Sequence, residues 1–149
     1  MKKQFYMAVA VIALLTVAGL SSANAQSQSS SQLKVNIPFA FNVGDQSLPA
    51  GEYTIRCTNP SSDMKVLELR SSNGRETVLI RTSSVSSKLQ NGAKLVFNRY
   101  GAEYFFGQAW LPSDSLGMQA PKTRTEKQLA RELAAHKLTR ETVAVTAKR

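Results

Sequence analysis

A strict alternation of apolar and polar residues early in the chain constrains the fold more than any other feature. The apolar residues occupy every second position: Leu33, Val35, Ile37, Phe39, Phe41 and Val43. This period of two predicts a half-buried β-strand, because successive side chains of a strand point to opposite faces. Leu48-Pro49-Ala50-Gly51 predicts a turn, since Pro presets φ and Gly accepts a positive φ. Tyr53, Ile55 and Cys57 continue the apolar face, so we interpret residues 35–55 as a hairpin on which the later strands assemble.

The N-terminal segment has the three parts of a secretory signal peptide. Lys2 and Lys3 provide positive charge, an apolar stretch follows, and Ala23-Asn24-Ala25 fits the small-x-small cleavage rule. We therefore predict a signal peptide over residues 1–25, export by the general secretory route, and a periplasmic or extracellular location. The alternative is an uncleaved N-terminal anchor. No transmembrane span is expected after cleavage.

Residues 26–149 have the length of a single domain with a substantial core. Cys57 is the only cysteine, so a disulfide within the chain is excluded. It shares a strand face with Tyr53 and Ile55 and is expected to be buried, the alternative being a cross-link between two chains. The formal net charge is +9, with an excess of Lys and Arg near the C-terminus. Such a chain suits anionic partners, although a basic surface also serves solubility alone.

Turn signals divide the mature chain into short strands. Residues 26–32 are predicted to be a polar linker. Residues 33–112 are predicted to form an antiparallel β domain of about six strands, either a small sandwich or a barrel. Asn73-Gly74 predicts a hairpin with a type I′ turn, and Asn91-Gly92 introduces a further strand. Gly107 lies inside a strand and predicts a bulge or a close backbone approach.

The composition changes toward helix after the last strand. Residues 113–138 are predicted to be a linker and one C-terminal α-helix, with Thr123 as N-cap and Glu126 reaching back in a capping box. Helical spacing places Leu129, Leu133 and His136 on one side of this helix and the cations Arg124, Lys127 and Arg131 on the other. Residues 139–149 have little to bury and are predicted to be a disordered tail.

Catalytic and metal-binding patterns are missing from the sequence. The single histidine, His136, follows Glu132 by four residues, which a helix-end position explains without catalysis. Cys57 and His136 have no ligand spacing typical of zinc. We therefore predict no enzyme activity, no cofactor and no metal.

One alternative is a small envelope-acting hydrolase that uses scattered Glu residues or the Glu132–His136 pair, and another is a barrel-type carrier of a small apolar ligand. The scattered glutamates are Glu52, Glu68, Glu76 and Glu103.

Two groups of residues are candidates for a binding surface. The aromatics Tyr100, Tyr104 and Trp110 suit stacking on a ligand, although filling the core is the alternative use. The cations of the helix suit a polyanion or a membrane surface, although a solvated helix face is the alternative; they are Arg124, Lys127 and Arg131. The expected partners are an anionic envelope polymer, a membrane surface or another envelope protein, and nucleic acid is not expected.

Several blocks of the sequence resemble a family of small exported bacterial proteins of unknown function. The blocks are IPFAFNVGDQSLPAGEYTI, LELRSSNG, KLVFNRYGAEYFFGQAW and PKTRTEKQLA. The family has a similar IPF-x-F-x-VG and LPAGEY opening and a similar LVF-x-RYG-x-x-YF closing block with a later Trp. The resemblance spans residues 35–130 and implies one exported domain, and it implies no activity, cofactor or catalytic residue.

Overall fold

The computed structural model describes residues 32–86, 92–112, 116–136 and 139–146. These residues form ten strands and one helix. The strands are β1 Gln32–Ile37, β2 Phe41–Val43, β3 Gln46–Leu48, β4 Gly51–Cys57, β5 Lys65–Ser71, β6 Thr77–Val85, β7 Lys94–Tyr100, β8 Glu103–Trp110, β9 Gly117–Gln119 and β10 Glu141–Thr146. The helix, α1, spans Arg124–Ala135. The predicted signal peptide, most of the predicted linker and Asn91 lie outside the described residues.

The strands form one mixed sheet in the order β1-β4-β5-β6-β9-β8-β2-β3, and β7 pairs with both β8 and β10. The described ladders are antiparallel except for β2 and β8, which run parallel at Asn42 and Phe105. β6 connects two halves, because its first residues pair with β5 and residues 83–85 pair with β9. β1 and β10 approach each other without a described ladder between them. A mainly β fold with one helix near the C-terminus is confirmed, whereas the expected number of six strands is wrong.

The first alternating segment contributes two strands, which explains part of the difference in strand number. Pro38 has no N–H to donate, and the chain leaves the ladder there, between β1 and β2. β1 pairs with β4, while β2 pairs with β3 in the other half. The predicted hairpin of residues 35–55 is therefore two ladders. The turn that closes the second ladder lies at Gly44-Asp45, between β2 and β3. The turn predicted at residues 48–51 is instead a bend between β3 and β4, where the Tyr53 hydroxyl donates to the Pro49 carbonyl oxygen at 2.8 Å.

Apolar side chains from both halves of the sheet meet in one core. Phe97 is fully buried at its centre, and its ring makes edge contacts with Phe39, Phe41 and Phe106 at centroid distances of 5.2, 5.3 and 5.9 Å. Cys57 belongs to the same core, so its predicted burial is confirmed. The alternation from Leu33 to Val43 fills this core even though the segment crosses between the halves.

The hairpin predicted at Asn73-Gly74 joins β5 to β6, but its loop is wider than a two-residue type I′ turn. The last ladder pair is Arg70 with Thr77. The Asn73 side-chain oxygen accepts hydrogen bonds from the Ser71 hydroxyl at 2.6 Å and the Arg75 N–H at 2.9 Å. Asn side chains commonly organise turns in this way. Gly74 has a φ of +71°, so the positive φ expected of this glycine is confirmed.

Gly107 produces a bulge in β8, as predicted. The register between β7 and β8 shifts between Val96 and Phe97, opposite Gly107. A Cβ on Gly107 would lie 3.1 Å from the Val96 carbonyl oxygen, so the close backbone approach is also confirmed. The bulge changes which residues of β8 face the core: even-numbered residues face it before Gly107 and odd-numbered residues face it afterwards. Tyr104 and Phe106 contact the core, whereas Trp110 lies outside the core cluster.

The C-terminal segment contains a strand that its composition does not predict. β10 pairs with β7 from Glu141–Arg99 to Thr146–Lys94, so a disordered tail over residues 139–149 is wrong for residues 141–146. The alternating Val143 and Val145 are half-buried against the sheet, which gives this strand its apolar side. β9 lies within the predicted linker, and β1 begins at Gln32, the last residue of the predicted N-terminal linker. In the described parts of the chain, no helix combines the length and apolarity needed to cross a membrane.

Candidate functional site

The side chain of Glu126 attaches α1 to strand β7. It is only 2% exposed, and its Oε1 accepts hydrogen bonds from Asn98 Nδ2 at 2.9 Å and from the Tyr100 hydroxyl at 3.2 Å. The Glu126 N–H donates to Thr123 Oγ1 at 3.0 Å, which confirms Thr123 as N-cap. The predicted capping box has a second hydrogen bond, from the Thr123 N–H to the Glu126 carboxylate. That carboxylate instead accepts hydrogen bonds from side chains of the sheet. A carboxylate in the first turn also suits the positive end of the helix.

Tyr100 is a buried partner of this carboxylate and does not belong to a surface. Its ring makes an edge contact with Phe105 at 5.8 Å. Burial raises the pKa of the Tyr100 phenol, and the Glu126 carboxylate raises it further by charge and hydrogen bonding, whereas neighbouring Arg140 acts in the opposite direction. Tyr100 is therefore protonated at neutral pH, and its hydroxyl donates a hydrogen bond to Glu126 Oε1.

The prediction that Tyr100, Tyr104 and Trp110 form an aromatic binding surface is wrong. Tyr104 is half-buried and stacks on Phe39 with ring centroids 3.9 Å apart, while the Arg99 guanidinium lies 5.6 Å from the Tyr104 ring centre. Trp110 is buried and covers Gly117, where a Cβ would lie 2.6 Å from the indole ring. The bulge places Tyr104 and Trp110 on different sides of β8, so the two rings cannot form one stacking platform.

The predicted division of the helix into two sides is confirmed for most of its residues. Leu129 and Leu133 are half-buried on the side of Glu126, while His136 is exposed and caps the C-terminus. Three cations are exposed on the other side of the helix: Arg124, Lys127 and Arg131. At a rise of about 1.5 Å per residue they extend over about 10 Å of the helix axis. We call these three residues the cationic stripe. None of them takes part in an ion pair within the described residues.

An open cleft of about 430 Å³ follows the flank of α1 and collects three carboxylates. Asp45 comes from the turn between β2 and β3, Glu103 from the start of β8, and Glu132 from α1. Phe105 and Leu129 provide apolar surface between them. We call this the acidic cleft. Glu103 accepts a hydrogen bond from Asn42 Nδ2 at 3.1 Å.

Glu103 and Glu132 were both predicted as alternative catalytic carboxylates, but no sequence pattern placed them together, and Asp45 was not predicted. The three carboxylates come from distant segments, and only the parallel contact of β2 with β8 and the docking of α1 make them neighbours. Glu132 accepts from Gln128 Nε2 at 3.0 Å, and a side-chain bond to His136 is not found within the described residues. Glu68 is elsewhere in the sheet, paired with Arg56 at 2.8 Å. The described residues contain no group of three His, Cys, Asp or Glu side chains placed to hold a metal ion.

A smaller pocket of about 150 Å³ lies at the β8 bulge. Two cations line it, Lys122 before α1 and Arg140 before β10. Its polar side chains include Gln108, Gln119 and Thr142, and Gly107 forms part of its wall. We call this the bulge pocket. No sequence pattern predicted this pocket, because residues 139–149 were expected to be a disordered tail.

Comparison with protein-family models, with curated proteins and with solved structures finds no match to this chain. The resemblance to a family of small exported proteins therefore stays a prediction.

Proposed function

We propose that this protein is an exported, non-enzymatic β domain of the periplasm or cell envelope that binds an anionic envelope polymer through α1. The observation that carries the proposal is the cationic stripe. Its three charges are exposed together on the side of the helix that faces away from the sheet. The signal-peptide pattern supports export, and the net charge of +9, which is +7 without Lys2 and Lys3 of the predicted signal peptide, supports an anionic partner.

The buried carboxylate of Glu126 supports this role by fixing the rotation of the helix. Because Glu126 binds Asn98 and Tyr100 beneath α1, the opposite side of the helix is held toward solvent. A polyanion that contacts three fixed cations releases bound counterions, so its affinity falls as salt rises. We propose that the sheet serves as the scaffold, acting as a small sandwich in which the two halves share one core.

Neutralising the cationic stripe is expected to weaken binding to a polyanion. The mature protein, residues 26–149, is applied to immobilised dextran sulfate and to vesicles containing phosphatidylglycerol, and is eluted with a salt gradient. The variant Arg124→Gln/Lys127→Gln/Arg131→Gln should elute at clearly lower salt. Its plot of log affinity against log salt should be shallower by about two to three, since each cation contributes slightly less than one to the slope.

A matched control separates the stripe from net charge. Lys34→Gln/Arg70→Gln/Arg81→Gln removes the same charge from exposed positions on strands β1, β5 and β6. This variant should elute close to the native protein. Equal losses in both triple variants would assign the binding to net charge alone. Absence of retention of the native protein at low salt would contradict the proposal.

A small envelope-acting hydrolase is a second candidate, favoured by the convergence of carboxylates in the acidic cleft. Hydrolysis of a glycosidic bond requires two such groups, one as acid and one as base or nucleophile. Native protein would then release reducing ends from isolated cell-wall polysaccharide, and Glu103→Gln or Glu132→Gln would abolish the release. Without release by the native protein this candidate fails. A barrel-type carrier of an apolar ligand has less support, because the acidic cleft is open and is lined by three carboxylates.

A further inference from the structure

We propose that the bulge pocket binds one small oxyanion group, a carboxylate or a phosphate. Lys122 and Arg140 are separated in sequence by the whole of α1, and the fold brings both to the wall of this single pocket. Arg binds the oxygens of carboxylates and phosphates through paired N–H donors, and Lys adds a point charge. The two cations together offset the charge of such a group.

The shape of the pocket depends on the glycine at the bulge. A Cβ on Gly107 would lie 3.1 Å from the Val96 carbonyl oxygen and 3.2 Å from Asn98 Nδ2, and all three residues line the pocket. The Gly107 carbonyl oxygen already accepts the Ala120 N–H at 2.8 Å. The space of about 150 Å³ equals the volume of about five waters in the liquid, which suits a compact oxyanion.

Hydrogen-bond donors outnumber acceptors around this space. Gln108 Oε1 accepts a hydrogen bond from the Trp110 indole N–H at 3.3 Å. The N–H₂ group of the same amide is its hydrogen-bond donor. Gln119 and Thr142 add an amide and a hydroxyl. The described lining contains no carboxylate. The Glu126 carboxylate is not part of this lining; its Oε1 accepts from Asn98 and from Tyr100, and Arg140 is also a hydrogen-bonding neighbour of the Tyr100 hydroxyl.

This site is separate from the polymer-binding surface proposed above. The cationic stripe contributes no residue to the described lining of the bulge pocket. The two proposals can therefore fail independently. An oxyanion that binds here would not need to be part of a polymer.

The test is a titration of ¹⁵N-labelled mature protein with sodium phosphate and, separately, with sodium acetate, at ionic strength held constant with sodium chloride. We expect the backbone amide signals of Gly107, Gln108 and Gln119 to shift and to saturate with at least one of the two ions. Saturation with phosphate alone identifies a phosphate site, and saturation with acetate alone identifies a carboxylate site. Shifts that do not saturate with either ion would overturn the proposal.

Two variants test whether the pocket residues cause the binding. Lys122→Gln/Arg140→Gln should weaken it about tenfold or more, because both charge-assisted contacts are lost. Lys34→Gln/Arg70→Gln removes the same charge from exposed strand positions outside the pocket and should leave the affinity unchanged. Gln119→Glu keeps both cations and places a carboxylate in the pocket, and it should also weaken binding. Equal affinity in native protein, the Lys122/Arg140 variant and Gln119→Glu would contradict the assignment.

Discussion

Replacing Phe97 with alanine is expected to lower the free energy of unfolding by about 3–5 kcal/mol, the range for truncating a buried Phe. Phe97 has no exposed surface, and its ring makes edge contacts with Phe39, Phe41 and Phe106. Phe41 comes from β2 and Phe106 from β8, so the cavity would open between elements of different parts of the chain. The measurement is urea denaturation of the mature protein, followed by tryptophan fluorescence and circular dichroism.

Leu79→Ala is the matched control for this prediction. Leu79 also lies in a strand, but its side chain is 64% exposed, so truncation should change the free energy of unfolding by less than about 0.5 kcal/mol. Phe97→Leu, which retains most of the buried apolar surface, should fall between the two. A Phe97→Ala variant as stable as Leu79→Ala would show that Phe97 does not occupy the centre of the core.

Replacing Glu126 with alanine is expected to destabilise the protein by about 2–3 kcal/mol. The change leaves the Asn98 amide and the Tyr100 hydroxyl without their shared acceptor, and a buried group that loses its partner costs about 1–3 kcal/mol. The higher helix propensity of alanine offsets only a few tenths of this loss. The same variant should reduce polyanion retention, because α1 would lose the contact that orients the cationic stripe.

Two further substitutions separate the buried contact from other effects of removing a glutamate. Glu126→Gln keeps one carbonyl oxygen as acceptor, so its loss of stability should be smaller than that of Glu126→Ala. Glu132→Ala removes an exposed glutamate from the same helix and should be nearly neutral. If Glu126→Ala and Glu132→Ala were equally stable, the buried contact with Asn98 and Tyr100 would have no energetic role.

Local patterns in the sequence predict local structure well in this chain. The bulge at Gly107 follows from a residue with unusual backbone preferences and is confirmed, and a change of chain direction before β4 follows from Pro49 although it is a bend and not the predicted turn. Thr123 is confirmed as N-cap because its hydroxyl oxygen satisfies a free N–H of the first turn. The opposed sides of α1 follow from helical spacing alone. These features depend on residues close together in sequence.

Features that depend on distant partners could not be predicted in the same way. The alternation before and after Pro38 is uninterrupted, so only the pairing of β1 with β4 and of β2 with β8 shows that two strands are present. Residues 141–146 are a strand because β7 offers an unpaired edge to them. The acidic cleft and the bulge pocket likewise require segments that only the completed sheet brings together.

The site of polymer contact can be mapped directly by heteronuclear NMR. ¹⁵N-labelled mature protein is titrated with a soluble anionic polysaccharide at low salt, and the change in each backbone amide signal is recorded. We expect the largest changes in α1, at Arg124, Lys127, Arg131 and their neighbours, and we expect added salt to reverse them. Changes centred instead on Lys34, Arg70 and Arg81, or changes spread evenly over all exposed cations, would contradict polymer binding through α1.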